Sequence, residues 1–403
     1  MTESQKTRVA SEYAEVVILG AGPAGLVLGN LLRGAGVDCV ILERSARTQL
    51  AGRARAGYLA ANTVRILARH GLDDGLRRRG RPHGSCEFRT GGGRFRLDYG
   101  GLGRGERHTV YPQQQLVADL LAYYQQTGGR IEFATEALAV HGADGDRPTV
   151  TVRQPDGSPA TWRASYVAGC DGRHGAARRS LPPGAVRHHR RDHGVTWLGL
   201  LAEAPPSLDA VGYAVHPRGF AGHMARTPEV TRYYLQWPAG APAGAWSEER
   251  IWAELAQRMR TEAYGPLQRG RIVQRTVIEL GSDVLEPLRH GSLLLAGDAA
   301  SLISPAAAKG ANLAVLEAEL LAQALTSALR GGDTDALDSY SARCLTHIWR
   351  AQEFSQWMIR LLHAAPENGG ETLFQDALRN SRLESLRTSR TTQDWFADHY
   401  VGI

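Results

Sequence analysis

The chain has few cysteines, no long apolar run and no block of one charge, and each absence removes a class of function. Only four of its 403 residues are cysteine. Cys39, Cys86, Cys170 and Cys344 are scattered, form no Cys-x-x-Cys pair and lay down no disulfide framework, so they fit a reducing compartment as buried thiols without chemistry of their own. No apolar stretch reaches about eighteen residues, and the opening Met1 to Glu15 lacks the basic-then-apolar order of a signal peptide. The expectation is a soluble, cytoplasmic protein with no membrane partner. Lys and Arg exceed Asp and Glu by 47 to 41, a formal charge of +6, but the arginines are dispersed instead of interleaved with aromatics in one block. That pattern excludes the usual nucleic-acid footprint, while a mildly positive field still favours encounter with small anions. The richest cluster is Arg187, His188, His189, Arg190, Arg191 and His193. It lacks cysteine and paired carboxylates, so it reads as a solvated loop with no metal bound.

What is there points to a nucleotide. With 43% hydrophobic and 22% charged residues, the chain can bury the core of one large or two intimately packed domains. Val16-Val17-Ile18-Leu19 is the continuous apolar run of a buried parallel strand. It leads straight into Gly20-Ala21-Gly22-Pro23-Ala24-Gly25. Leu26 to Arg33 has helical spacing, Gly34 and Gly36 end it, and Val40-Ile41-Leu42-Glu43 reads as a second strand. In such a βαβ unit Gly20 permits the tight turn, Gly22 lets main chain approach a pyrophosphate, and Gly25 allows close helix packing, with the helix N-terminus facing the phosphates. Glu43 is placed to accept hydrogen bonds from ribose hydroxyls and disfavours a 2′-phosphate, so the nucleotide is the ADP half of FAD or NAD.

Two further strand ends favour FAD. Tyr166 to Ala168 runs into Gly169-Cys170-Asp171-Gly172, followed by His174 and Arg178; Leu293 to Ala296 runs into Gly297-Asp298, followed by Pro305, Lys309, Gly310 and Asn312. Asp171 or Asp298 at such a strand end can bond flavin ribityl hydroxyls, and the helix beginning near Gly310 can present N–H groups to the flavin pyrimidine carbonyl. Alternation in Thr149 to Arg153 and in Thr231 to Gln236 suggests antiparallel strands of a second region, and helical periodicity dominates Gly310 to Leu329 and Thr346 to His363.

On these motifs, and on the runs Gly52 to Gly57, Trp197 to Leu201, His216 to Phe220, Arg232-Tyr233-Tyr234 and Tyr400-Val401-Gly402, the chain resembles the class A flavoprotein aromatic monooxygenases, within them the 4-hydroxybenzoate hydroxylase group. The resemblance spans about Val16 to Ile403 and implies an α/β fold. Its FAD-binding, parallel-sheet, Rossmann-like domain would comprise 1–83, 111–185 and 281–345, interleaved with a mostly antiparallel β substrate domain at 84–110 and 186–280 and closed by a C-terminal helical region at 346–403. It further implies bound FAD, transient NADPH or NADH, and O2, with a phenolic acid hydroxylated through a flavin C4a-hydroperoxide; a homodimer is compatible with it.

The resemblance also assigns roles. Tyr213 would bond the phenol oxygen, Tyr400 would bond Tyr213, and His83, whose ordinary pKa lies near working pH, would exchange the proton with solvent. Pro305 would offer its carbonyl to the substrate hydroxyl. Arg226 would hold the carboxylate in its planar fork, with Tyr234 as a further donor and Trp197 lining the pocket. Arg232 would lie near the flavin. Arg44, Arg55 and Gln113 would contact FAD or nicotinamide phosphates, Lys309, Gly310 and Asn312 the flavin, and His174 and Arg178 the nicotinamide coenzyme.

Several positions depart from the group's pattern. Met224 stands where it has serine, Gly222 where it has leucine, Tyr58 where it has valine, and Ala306-Ala307 where it has Thr-Gly. A lost hydroxyl donor weakens carboxylate binding by about 1 to 2 kcal/mol, and glycine in place of leucine is expected to open volume. Together they suggest a ring-substituted substrate such as 3-amino-4-hydroxybenzoate; 4-hydroxybenzoate itself and a redox-inactive flavin-binding protein are the alternatives. Gly281 stands where the group has arginine, leaving NADPH only slightly preferred over NADH. With no second GxGxxG, the coenzyme would bind transiently in a surface groove. The lysine and tryptophan-rich motif of flavin halogenases is absent.

Overall fold

The computed structural model describes residues 11–51, 57–363 and 370–402. The strand Ser11–Leu19 pairs in parallel with Cys39–Glu43 on one side and Pro159–Gly169 on the other. Every residue of Cys39–Glu43 is buried, as a parallel strand covered on both faces requires. Arg130–Phe133 and Leu293–Leu295 extend the sheet in parallel at either side. The crossover helix Pro23–Gly34 starts with proline in its first turn, where a missing N–H is harmless, and packs against the helices Gln113–Gln126 and Gly310–Thr326.

Thr149–Arg153 is an antiparallel strand, but it belongs to this same sheet, paired with Glu136–His141 and Pro159–Gly169. It was expected in a second region. Pro159–Gly169 is eleven residues long, so on one edge its first half pairs with this meander and its end with Leu293–Leu295, while Ser11–Leu19 runs along the other edge.

The second sheet has the order Ser301–Leu302, Arg271–Glu286, Arg187–Glu203, Val230–Trp237, Ala221–Thr227, Val211–Ala214, Cys86–Thr90, Gly93–Leu97. Thr231 to Gln236 falls inside it as expected. It is antiparallel throughout, except that Val211–Ala214 runs parallel to Cys86–Thr90. The arginine and histidine cluster is no loop: it opens the strand Arg187–Glu203 and pairs residue by residue with Arg271–Glu286 from Arg187 to Asp192, with His193 at the register shift that follows. Acidic partners on the facing strand hold it, with His188 Nε2 2.8 Å from Asp283 and His189 Nε2 2.9 Å from Glu286. Among the described residues no cluster of three or more His, Cys, Asp or Glu could hold a metal.

A three-stranded sheet of Tyr58–Leu59, His108–Val110 and Arg81–His83 sets Tyr58, His83 and His108 close together. Helix Asp335–Leu362, longer than its periodicity suggested, and helices Gly370–Thr388 and Arg390–Val401 end the chain. A separate apolar core joins the antiparallel sheet to these helices through Phe88, Tyr213, Phe354, Phe396 and Tyr400. No described helix is long and apolar enough to cross a membrane.

Candidate active site

The three glycines after the first strand have different reasons to be glycine. Gly20 has φ +95°, and a Cβ there would come within 2.7 Å of the Cys170 carbonyl oxygen; a Cβ at Gly25 would overlap the Gly20 carbonyl. A Cβ at Gly22 would meet no protein atom within 4 Å. The fold therefore forces two of them, while the third leaves the helix N-terminus bare on the side where a pyrophosphate approaches. Glu43 is buried, and its two oxygens accept the N–H groups of Ala21 and Ser45, each at 2.8 Å, with lone pairs left for ribose hydroxyls. One Asp171 oxygen accepts the Ala177 N–H at 3.0 Å; the other is buried with no partner. Burial raises the Asp171 carboxyl pKa. Asp298 lies half-buried in the turn Gly297–Ala299, whose Gly297 N–H donates to Glu317 at 2.6 Å. These residues fit the nucleotide half of FAD, and Gly310, the first residue of helix Gly310–Thr326, stays open enough that a Cβ would touch only Ile303 at 3.6 Å.

Other expected cofactor contacts are otherwise engaged. The Asn312 amide accepts from Ala60 N–H and Thr63 Oγ1, both at 2.8 Å, and donates to the carbonyls of Tyr58 at 3.0 Å and Ala308 at 2.8 Å. Its side-chain hydrogen-bonding capacity lies within the protein, so the side chain positions Tyr58, while its main-chain N–H, in the first turn of helix Gly310–Thr326, has no intrahelical acceptor. Lys309 is likewise corrected: its ammonium donates to the carbonyls of Tyr400 (2.9 Å) and Gly402, fastening the last helix, and burial pushes its pKa down to about 7. Arg178 pairs with buried Asp283 at 2.8 Å and donates to the Ala299 carbonyl at 2.6 Å, which makes it a strut between the two large sheets and not a free coenzyme contact. His174 is exposed beside it. Arg44 is exposed on a groove of about 510 Å³ that also exposes Gln49 and Arg153. Gln113 opens its helix half-buried, and Arg55 lies outside the described residues. The Pro305 carbonyl accepts the Ala308 N–H at 3.1 Å, with a lone pair remaining.

The aromatic pocket is built by strand register. Phe88, Tyr213, Gly222, Tyr234 and Gly199 form one row across the antiparallel sheet. Directly paired residues share a face, and neighbouring strands lie about 4.8 Å apart, so Tyr213 and Tyr234 stand about 10 Å apart over a glycine. Met224 pairs with Arg232 in the adjacent row. Trp197 and Phe220 stack at 5.0 Å, and Trp197 Nε1 donates to His363 Nε2 at 2.7 Å. The volume expected at Gly222 is not open: a Cβ there would lie 2.9 Å from the Phe220 ring and 3.4 Å from Tyr234. Phe220, two residues earlier on the same face, takes that space.

At one end of the pocket the Tyr213 and Tyr400 hydroxyls meet at 2.6 Å, both buried, and burial raises the pKa of each. His83 is close but does not bond Tyr400. Its Nδ1 lies 2.9 Å from the Tyr99 hydroxyl, which donates to the His83 carbonyl at 3.0 Å and lies 3.2 Å from His108 Nδ1. The Tyr99 and His108 rings sit edge-on to Tyr400 at 5.1 and 5.0 Å. Burial, helped by Arg96, pushes the His83 pKa down to about 4, so the ring is neutral and holds a proton less readily than the free imidazole expected of it near working pH. At the other end Arg226 is buried and donates to Gln114 Oε1 at 2.9 Å; burial and then Arg232 push its pKa down to about 10. Arg232, 5% exposed, has Nε and Nη1 unpartnered, and its guanidinium lies 5.5 Å from the Tyr234 ring.

A family model described as an FAD binding domain matches residues 13–355. Over 401 residues the chain is 35% identical to p-hydroxybenzoate hydroxylase of Acinetobacter baylyi, covering 100% of this chain and 96% of that protein. The chain belongs to the class A FAD-dependent aromatic monooxygenases. It is also 27% identical over 370 residues to a 3-(3-hydroxy-phenyl)propionate/3-hydroxycinnamic acid hydroxylase of Mycolicibacterium smegmatis, covering 90% of this chain and 64% of that one. The fold of p-nitrophenol 4-monooxygenase from Pseudomonas putida matches with a TM-score of 0.81 at 20% identity, over 97% of this chain and 99% of that one. The protein is an FAD-dependent aromatic hydroxylase, and NAD(P)H is the reductant expected of its class.

Within this monooxygenase, sequence reasoning passed over Tyr99, His108, Gln114 and Glu317. Tyr99 sits in a glycine-rich turn and His108 on a three-residue strand, too short for a periodic signal. Gln114 is the neighbour of the glutamine that was singled out. Glu317 lies in a helix whose residues are mostly buried, and burial pushes its carboxyl pKa up to about 8. A glutamate among so many apolar positions was the one available sign.

Proposed function

We propose that this monooxygenase hydroxylates a phenolic carboxylic acid of the 4-hydroxybenzoate type, consuming NAD(P)H and O2. One observation carries the reading: the antiparallel sheet and the last helix bring together a paired hydroxyl end, Tyr213 with Tyr400 at 2.6 Å, and a cationic end with the buried guanidiniums of Arg226 and Arg232. A molecule with a phenol at one end and a carboxylate at the other satisfies both. When bound, FAD reduced by the nicotinamide supplies the activated oxygen, and Gly20, Gly22, Gly25, Glu43, Asp171 and Asp298 would hold it. Tyr213 orients the phenol oxygen and passes its proton to Tyr400, which favours the electron-rich phenolate. Neutral His83, bonded to Tyr99, leads the proton to solvent. Arg226 and Tyr234 hold the carboxylate, and Trp197 and Phe220 keep water from the ring.

The choice of 3-amino-4-hydroxybenzoate over 4-hydroxybenzoate now rests on Met224, Tyr58 and Ala306-Ala307, since Phe220 fills the space beside Gly222. A redox-inactive flavin binder would have no use for the buried Tyr213–Tyr400 pair. The same reading makes the enzyme cytoplasmic, prefers NADPH slightly, and is compatible with a homodimer. To test it, the FAD-loaded enzyme is supplied with NADPH or NADH and with 4-hydroxybenzoate or its 3-amino and 3-hydroxy analogues, and hydroxylated product is measured against coenzyme consumed. Hydroxylated product from at least one acid is expected; coenzyme oxidation without any product refutes the reading.

A further inference from the structure

We infer that Tyr99 and His108 are positioning residues that hold the Tyr400 ring where its hydroxyl meets that of Tyr213. The inference rests on the phenolic-acid reading above and adds to it a support for the hydroxyl that takes the phenol proton. The Tyr213–Tyr400 bond at 2.6 Å joins a strand of the antiparallel sheet to the last helix, so it depends on how that helix and its ring are held. Lys309 fastens the main chain at Tyr400, which leaves the ring to turn about its side-chain torsions. Phe396 stacks on the ring at 5.0 Å, but it stands one turn back on the same helix and moves with it. Among the described residues, the nearest rings from outside that helix are Tyr99 and His108, edge-on at 5.1 and 5.0 Å.

These two rings are tied to each other and to the helix they touch. The Tyr99 hydroxyl lies 3.2 Å from His108 Nδ1 and 2.9 Å from His83 Nδ1, and its proton goes to the His83 carbonyl at 3.0 Å. A phenol has one O–H and two lone pairs, so two imidazole N–H groups complete it. His108 lies opposite His83 in the small sheet, and the Gly100 N–H donates to the Gly84 carbonyl at 2.9 Å, which fixes the turn of Tyr99 just past the same strand. The loop after Tyr99 is bolted to the last helix: the N–H groups of Gly103 and Arg104 donate to Asp394 at 2.7 Å and to Asp398 at 2.9 Å. The approach is so close that a Cβ at Gly103, whose φ is +50°, would overlap Asp398. Burial, then Lys309 and His83, hold the His108 pKa well below the usual imidazole value, so His108 brings an N–H and a ring edge without a charge. Breaking the Tyr99–His108 bond frees both rings at once, and with them the surface that Tyr400 rests on.

The test titrates 4-hydroxybenzoate and its 3-amino analogue, each bound to FAD-loaded enzyme, with base. Phenolate is followed in the ligand's ultraviolet difference spectrum, so that the phenolate-to-phenol ratio is compared between proteins even where it is small. His108→Leu removes the N–H and keeps an apolar filling; it is made alone and together with Tyr400→Phe, and retained FAD checks folding. The single variant is expected to lower the ratio about fivefold, the size of one hydrogen bond. In the Tyr400→Phe protein, His108→Leu is expected to change it by less than about 1.5-fold, because the hydroxyl it positions is gone. An unchanged ratio in the single variant overturns the inference, and so does a fall of the same size that recurs without the Tyr400 hydroxyl. If His108→Leu does not retain FAD, Tyr99→Phe removes the same bond from the other partner and is held to the same two outcomes. A wild type that binds neither acid, or holds both wholly as phenols, overturns the phenolic-acid reading and this inference with it; a wild type that holds phenolate no better than the single variant does overturns this inference alone.

Discussion

Replacing Arg226 by methionine separates what its charge does for the fold from what it does for the ligand. Burial, then the neighbouring Arg232, lowers the guanidinium pKa from its ordinary value to about 10, a penalty on the charged form of about 3 kcal/mol. Because the pKa is lowered, that penalty is present in full wherever the pH lies below about 10. Against it stands the bond to Gln114 Oε1 at 2.9 Å, and a hydrogen bond from a charged donor contributes about 1.5 to 3 kcal/mol. In Arg226→Met the relief of this burial cost and of the repulsion from Arg232 opposes the loss of that bond, so unfolding of the ligand-free, FAD-loaded protein is the control that separates a structural role from a ligand-binding one. The ligand is affected differently, since a buried carboxylate that loses its partner costs about 2 to 5 kcal/mol, at least about a thirtyfold loss of affinity. The assay pairs thermal unfolding without ligand with titration by 4-hydroxybenzoate. Affinity within about threefold of wild type would remove Arg226 from the carboxylate role, and a Tm that collapses in parallel would show it to be a structural residue.

Gly22→Val should fold but lose FAD, because a side chain there meets no protein atom within 4 Å and projects where the pyrophosphate would lie; flavin absorbance per folded protein checks it, and full FAD retention refutes it. Tyr99→Phe keeps the ring but removes the hydroxyl on which His83 and His108 converge, so hydroxylation should slow on the order of tenfold at unchanged substrate Kd, with a shifted pH profile; an unaltered profile would take Tyr99 out of the proton path. Glu317 is neutral when folded up to about pH 8 but would ionise near 4.5 when unfolded, so its contribution to stability declines as pH rises between those values. Glu317→Gln should therefore show a flatter Tm between pH 5 and 8 than wild type, and equal slopes would refute it.

The nucleotide end was legible because its constraints are local. A left-handed φ at Gly20, a close approach at Gly25 and an all-buried strand each leave a mark on one or two residues. Sheet membership was less so: two-residue alternation identifies Thr149–Arg153 as a strand but cannot name its neighbour, which is why alternation suggested a second region although the family boundaries put 111–185 with the parallel sheet. Arg187 to His193 gave no strand signal at all, since it is largely polar and its partners Asp283 and Glu286 lie far along the chain. The roles of Arg178 and Lys309 were misread for the same reason. A cation's type is visible in sequence, but its partners, here Asp283 and two C-terminal carbonyls, are tertiary facts.

Gly222 shows why pocket volume is harder to read than pocket chemistry. Deleting a side chain on paper opens space only if nothing nearby can refill it, and an aromatic two residues away on the same face can. Donors and acceptors do not substitute for one another in this way, so the unpaired hydroxyl of Tyr58 and the unpaired N–H groups of Arg232 constrain the ligand more tightly than the glycine does. They also come from different sheets: Tyr58 from the small one, Arg232 from the antiparallel one. Tyr400 comes from the last helix, which Lys309 fastens by its carbonyls. The side chains of the proposed site thus depend on supports behind them, Asn312 behind Tyr58 and Lys309 behind Tyr400, and both stand where helix Gly310–Thr326 begins. On the proposed reading, in which that helix meets the flavin, this segment would couple cofactor position to substrate position, which is what a reaction between the two requires.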